Sequence, residues 1–117
     1  ADILRVLVKA QSRFKQEPPL VHCLLPVAIV GDTHGQFQDL HRVFFNFAKG
    51  EKAGWLTQRY VFLGDYVDRG MQSLEVVIFL FLLKIKFRKS FFLLRGNHET
   101  KAINRQYGFL LELSNRF

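Results

Sequence analysis

Tyr60-Val61-Phe62-Leu63-Gly64-Asp65-Tyr66-Val67-Asp68-Arg69-Gly70 is an apolar run that breaks into two carboxylates and a guanidinium between two glycines. Arg59 to Leu63 reads as a buried strand. Glycine lets the backbone turn where a side chain would clash. A carboxylate at the end of a buried strand is costly unless a cation or several donors sit against it. Asp65 therefore needs a metal, an arginine or a set of N–H groups.

The same construction occurs twice more. Val27 to Val30 runs into Gly31-Asp32-Thr33-His34-Gly35, and Phe91 to Leu94 runs into Arg95-Gly96-Asn97-His98-Glu99. Gly31, Gly64 and Gly96 fall 33 and 32 residues apart. Repeat arrays show periods near that length, but no consensus recurs here. Each interval holds a strand-like run and then a helix-like run, and a strand–helix–strand unit also needs about 30 residues.

The intervening segments agree. Ile3, Leu7, Ala10 and Phe14 predict an amphipathic helix over 2–16, ended by Pro18-Pro19. Phe37, Leu40, Val43, Phe44 and Phe47 share one helical face within 36–48, and Lys49-Gly50 stops that helix. Residues 51–58 read as a polar loop carrying Trp55. Leu74 to Leu83 is apolar apart from Glu75. Ser73 as N-cap and Lys84 and Lys86 near the C-terminus favour a helix, and parallel strands need such a crossover. A last helix is expected around 109–113. Short, almost wholly apolar strands belong to a parallel sheet covered on both faces. The expected fold is α/β, a βαβαβ parallel sheet flanked by helices, within one domain over 1–117.

Composition sets the limits. The chain has 117 residues, 49% hydrophobic, with 13 phenylalanines that demand burial; this excludes a disordered chain. The single cysteine, Cys23, permits no internal disulfide and suits a reducing compartment, cytoplasmic or nuclear. Thiol-phosphatase chemistry would want an arginine six positions after Cys23, where Ile29 stands. His22 and His41 read as structural or surface residues. The start, Ala1-Asp2-Ile3, lacks a basic leader and an initiator methionine, as in a fragment or processed form. The uncharged run Val76–Leu83 is far short of the ~18 residues of a membrane span. A net charge of +7 suits a solvated surface. Nucleic-acid binding would want clustered cations with aromatic platforms, and the phenylalanines fall at core positions instead. Neither a nucleic-acid nor a membrane partner is expected.

Ligands of such sheets bind outside the carboxyl ends of the strands, where all three Gly-Asx loops converge. Asp32, His34, Asp65, Asn97 and His98 then offer carboxylate, imidazole and amide donors suited to Mn²⁺, Zn²⁺ or Fe. Asp65 has two oxygens and can bridge two ions. A two-metal site clamps a phosphate ester and generates a hydroxide for in-line attack. Arg69 offers a planar fork for phosphate oxygens. His98 can protonate the leaving oxygen with Asp68 holding it charged. Any one loop alone is ordinary turn chemistry; three in order make a site.

These three blocks, with Ser73-Leu74-Glu75 and Ile103 to Phe109, resemble the metal-dependent serine/threonine phosphoprotein phosphatases. That family includes type 1, type 2A and calcineurin, and the chain most resembles type 1. The resemblance covers nearly the whole chain and implies the first part of a longer β-sandwich catalytic domain. It implies that Asp32 and His34 hold the first metal, that Asp65 bridges both, and that Asn97 binds the second and orients phosphate. His98 with Asp68 becomes the general acid and Arg69 the phosphate ligand. The implied cofactors are two divalent metals, manganese or iron with zinc, with the second site incomplete because two further histidine ligands lie outside the stretch that resembles. The implied partners are phosphoprotein substrates and regulatory or targeting subunits. The other expectation is a catalytically inactive relative acting as a binding or regulatory module.

Overall fold

The structure is a computed structural model that describes residues 2–117. Helix α1 (Asp2–Lys15) is followed by β1 (Val27–Val30), α2 (Phe37–Asn46), β2 (Arg59–Phe62), α3 (Ser73–Lys86), β3 (Phe91–Leu93), α4 (Lys101–Tyr107) and α5 (Phe109–Arg116). The strands form one parallel sheet in the order β1-β2-β3. Its register aligns Ala28 with Tyr60 and Phe91, and Val30 with Phe62 and Leu93.

That register explains the core. Side chains alternate along a strand, so Tyr60, Phe62 and Phe91 share one face and pack with Phe44 of α2 and Leu80 of α3. Right-handed crossovers in a sheet of consecutive order put both crossover helices on the same face. This corrects the expectation of a sheet covered on both sides: on the other face Ile29 is 68% exposed. The strands are apolar on both faces, yet these residues cover only one.

α3 is a helix despite its Val and Ile content. It lies between the sheet and α1, with Phe14 of α1 set edge-on to Phe81 at 5.6 Å. A helix buried on two sides loses its amphipathic period, which is why the sequence pattern was ambiguous. Its entry differs from expectation. Gln72 is the N-cap and makes no capping bond. The Ser73 and Leu74 N–H groups donate to the two oxygens of Glu112, at 3.0 and 2.8 Å. Lys84 of α3 is fully buried. Its Nζ donates to Phe91 O (2.6 Å) and Arg88 O (3.1 Å) and pairs with Glu17.

The loop at 51–58 contains a single 3₁₀ turn, Gly54–Leu56, and Trp55 packs edge-on to Phe44 and Phe79, each at 5.8 Å. Helix α4 was not expected, and Gly108 (φ +122°) separates it from α5. The expectation that phenylalanines fill the core also needs correction: Phe45 is 80% exposed and Phe117 is 79% exposed. No helix among the described residues is long and apolar enough to cross a membrane.

Candidate metal and phosphate site

The three loops after β1, β2 and β3 meet main chain to main chain. A Cβ on Gly64 would collide with the Gly96 backbone, and one on Gly96 would collide with the Asp65 carboxylate. Closeness of this kind admits only glycine. The Thr33 and His34 N–H groups both donate to Asp65 O, at 3.1 and 3.0 Å. Among the described residues, the non-glycine residues with positive φ are His34 (39°), Asp65 (55°), Asp68 (72°) and Arg69 (69°). All four are residues the sequence assigns to chemistry. Each such conformation costs about 1–3 kcal/mol and persists where the surroundings impose it.

The His34 tautomer follows from its partner. Nδ1 lies 2.9 Å from Val67 O, which can only accept, so Nδ1 carries the proton. Nε2 then presents a lone pair, and it faces Asp32 Oδ2 at 3.5 Å. Ligand atoms of His34, Asp65 and His98 lie within 4.8 Å of one another. The Asn97 side-chain amide lies against the Asp65 carboxylate, and with its nitrogen turned that way it donates to Oδ1 at 3.1 Å and Oδ2 at 3.0 Å. The His34 Nε2 lone pair and the Asp32 carboxylate converge with no proton between them. A divalent cation resolves that convergence, and the carboxylate, imidazole and amide donors gathered here suit one. Asp32 stands at the rim, 59% exposed, and among the described residues it is tied to the cluster through His34 alone.

His98 and Asp68 form the buried part of the site. His98 Nδ1 lies 2.9 Å from Asp68 Oδ2, and both side chains are almost wholly shielded from solvent. The His98 N–H donates to Asp65 Oδ1 at 3.0 Å, and its ring meets the His34 ring edge-on at 4.7 Å. Asp68 Oδ1 accepts the Phe109 N–H at 2.7 Å. Arg69 is exposed, with its guanidinium 5.9 Å from the Tyr107 ring centre, and none of the ion pairs found among the described residues uses it. Beneath the loops, burial and then the charges of Glu99 and Asp65 push the Tyr66 phenol well above its ordinary range. It stays protonated and donates to Leu94 O at 2.7 Å.

Residues 25–117 match the model of the calcineurin-like phosphoesterase family. The chain belongs to that family. An uncharacterized protein of Caenorhabditis elegans is 52% identical over 102 residues, covering 82% of this chain and 40% of that protein. A solved protein serine/threonine phosphatase from Saccharomyces cerevisiae, described as similar to human phosphatase PP5, superposes with a TM-score of 0.87 at 38% identity. The match covers 98% of this chain and 37% of that one. The chain thus spans about two fifths of the length of these relatives. The three-stranded parallel sheet with its helices is the α/β arrangement of the metallophosphoesterase fold, and the family implies divalent metals.

Two residues of this phosphoesterase chain carry more of the site than their sequence position suggests. The Glu99 carboxylate accepts three N–H groups: Asp65 at 2.8 Å, Tyr66 at 2.7 Å and Gly96 at 2.8 Å. It fastens the β2 and β3 loops together directly under Asp65. Glu112 fastens the start of α3 to α5. Their partners are backbone groups up to 39 residues away, and no side-chain pattern marks such a bond. The one available signal was that Glu99 closes the third block. His22 is exposed and Cys23 half-buried, with Cys23 Sγ 3.6 Å from Leu24 O. Both lie before β1, at the sheet edge opposite the loops. His41 is exposed on α2, between the rings of Phe37 and Phe79.

Proposed function

We propose that this chain carries the metal-ligand and acid–base part of a protein serine/threonine phosphatase centre that hydrolyses phosphoserine and phosphothreonine esters. The buried His98–Asp68 pair, set against the His34, Asp65 and Asn97 donors, carries this reading. Asp32, His34 and Asp65 would hold one metal ion, and Asp65 and Asn97 would contribute to a second. When bound, the ions supply Lewis acidity at the phosphoryl oxygens and make water a nucleophile at neutral pH.

The chain's own residues do the rest. Arg69 lies free at the rim to grip phosphate oxygens through its planar fork. The Asp68 carboxylate accepts the Nδ1–H of the His98 ring, leaving Nε2–H to donate. As the P–O bond to serine breaks, that proton passes to the leaving oxygen, and the products are a hydroxyl and phosphate. Asp65 is held from both sides, by the Thr33 and His34 N–H groups on its carbonyl and by Glu99 on its own N–H. The substrate in this reading is a phosphoprotein chosen with the help of further subunits, in the cytoplasm or nucleus.

The test is phosphate release from a phosphoserine peptide by the full polypeptide with Mn²⁺, beside His98→Ala and Asp65→Asn. Loss of at least about a hundredfold in each variant is expected. Variants as active as the parent would overturn the assignment of the site. An inactive parent that still binds Mn²⁺ would replace the enzyme reading with that of a binding module.

A further inference from the structure

A second concave surface lies at the opposite edge of the sheet. The candidate site follows the carboxyl ends of the strands, whereas this cleft gathers the residues that precede or begin them. It has a volume of about 580 Å³ and is lined by Arg13 of α1, His22, Arg59 at the start of β2, and Arg88 and Lys89 before β3. Leu24 and Phe92 supply apolar wall, and Leu24 is 73% exposed. Among the described residues, no carboxylate pairs with Arg13, Arg59, Arg88 or Lys89. The one acid in the lining, Glu17, is already engaged by the buried Lys84. Arg59 has only long bonds to Leu24 O and Leu25 O, both 3.4 Å, and Arg88 one to Gln16 Oε1 at 3.3 Å.

Four unneutralised cations around one cleft repel one another, and an anion between them relieves that cost. The cations are carried by three separate segments, α1 (Arg13), β2 (Arg59) and the turn before β3 (Arg88 and Lys89), so the positive charge of the cleft is assembled by the fold. Lys84 fixes one wall by holding the Arg88 and Phe91 carbonyls.

We infer that this basic cleft is a docking site for an acidic peptide segment of a protein partner, with an apolar side chain seated between Leu24 and Phe92. The mixture of apolar wall and separated cations favours a peptide over nucleic acid, which would want a continuous phosphate-tracking stripe. A segment bound there leaves the three loops on the far edge open. The inference does not depend on the reaction proposed for those loops.

The experiment uses fluorescence anisotropy on the full polypeptide, with a short fluorescein-labelled peptide of glutamate and leucine as probe. The same peptide with glutamine for glutamate and a labelled single-stranded oligonucleotide serve as comparisons. Arg88→Glu/Lys89→Glu changes two exposed side chains, and Arg13→Glu reverses charge on the opposite wall. Thermal melts establish that each variant is folded. Binding of the acidic peptide should weaken by about tenfold or more in both variants and fall with added salt, while Asp65→Asn leaves it unchanged. The proposal is overturned if the acidic peptide does not bind, if it binds no better than its glutamine counterpart, or if folded variants bind it as well as the parent does. An oligonucleotide that binds more tightly than the peptide, with loss in the same variants, would replace the peptide by nucleic acid.

Discussion

One oxygen of Asp68 holds His98 and the other holds the main chain of α5: Oδ2 lies 2.9 Å from His98 Nδ1, and Oδ1 accepts the Phe109 N–H at 2.7 Å. The residue that sets the proton on the imidazole is thereby fixed by an element 41 residues further along the chain. Orientation and charge come from one carboxylate whose two oxygens are both in use.

Asp68→Asn separates those two roles. The amide oxygen still accepts from Phe109, but its NH₂ then faces Nδ1 as a second donor, so the Nδ1–H of the doubly protonated ring loses its acceptor and only the neutral ring, a much weaker acid, fits there. Turnover of a phosphoserine peptide should fall about 10²–10³-fold with little change in KM. A stopped assay at several pH values checks this. An unchanged kcat would remove Asp68 from the proton path.

Glu99→Gln leaves one oxygen to serve the N–H groups of Asp65, Tyr66 and Gly96. Bonds to a charged acceptor are worth more than bonds to a neutral one. Urea unfolding should show a loss of about 2–3 kcal/mol. Mn²⁺ affinity, read by calorimetry, should fall in the same variant because Asp65 loses its anchor.

Gly64→Ala should cost about 2–4 kcal/mol, since its Cβ has nowhere to go against Gly96. Gly31→Ala is the matched control. Nothing lies within 4 Å of a Cβ built there, and its stability should stay within about 0.5 kcal/mol of the parent. Equal losses in the two variants would show that the loops do not interlock as described.

Metal should act as a stabilising ligand. At a hundredfold excess over its Kd, Mn²⁺ should raise stability by about 2.7 kcal/mol, a shift that a chelator reverses. Asp65→Asn should abolish most of it. This readout is independent of turnover.

Tyr60 gives a pH dependence of known sign. Burial pushes its phenol from 10.0 up to about 12, and its hydroxyl donates to Gly54 O at 2.6 Å. The fold favours the protonated form. Its contribution is complete below pH 10, declines between pH 10 and about 12, and is lost above that. Urea midpoints across this window should fall less steeply for Tyr60→Phe than for the parent.

The strands and the loops that follow them were legible because two signals coincide there: an apolar run, and then a glycine with a short polar side chain. The register of Tyr60 with Phe91 could not be read, and neither could the covering of one face alone. A parallel strand that is apolar on both sides does not say which side these residues cover. Ser73 looked like an N-cap because the sequence shows only local partners, whereas its own N–H donates to Glu112 and its hydroxyl accepts the Asp68 N–H. Glu99 was visible as the end of a block but not as the acceptor that joins two loops. Among the site residues, the sequence brought Asp32, His34, Asp65, Asn97 and His98 to one edge. It could not foresee that His98 would stand as close to His34 and Asp65 as a ligand would, or that Asp32 would lie exposed at the rim.

The four strained residues of the loops have a consequence for how this protein can change. Arg69 adopts backbone angles that glycine accepts without cost, and its exposed side chain holds nothing in place, so glycine there would relax the chain. At Asp68 the same relief is outweighed, because glycine would leave the His98 ring and the Phe109 N–H unpaired in a buried site. A variant library screened only for heat resistance would be drawn towards Arg69→Gly, the substitution that removes the exposed guanidinium. Heat resistance and function are set against each other at that codon. Selection for durability therefore needs a simultaneous demand for activity, or it will discard the site first.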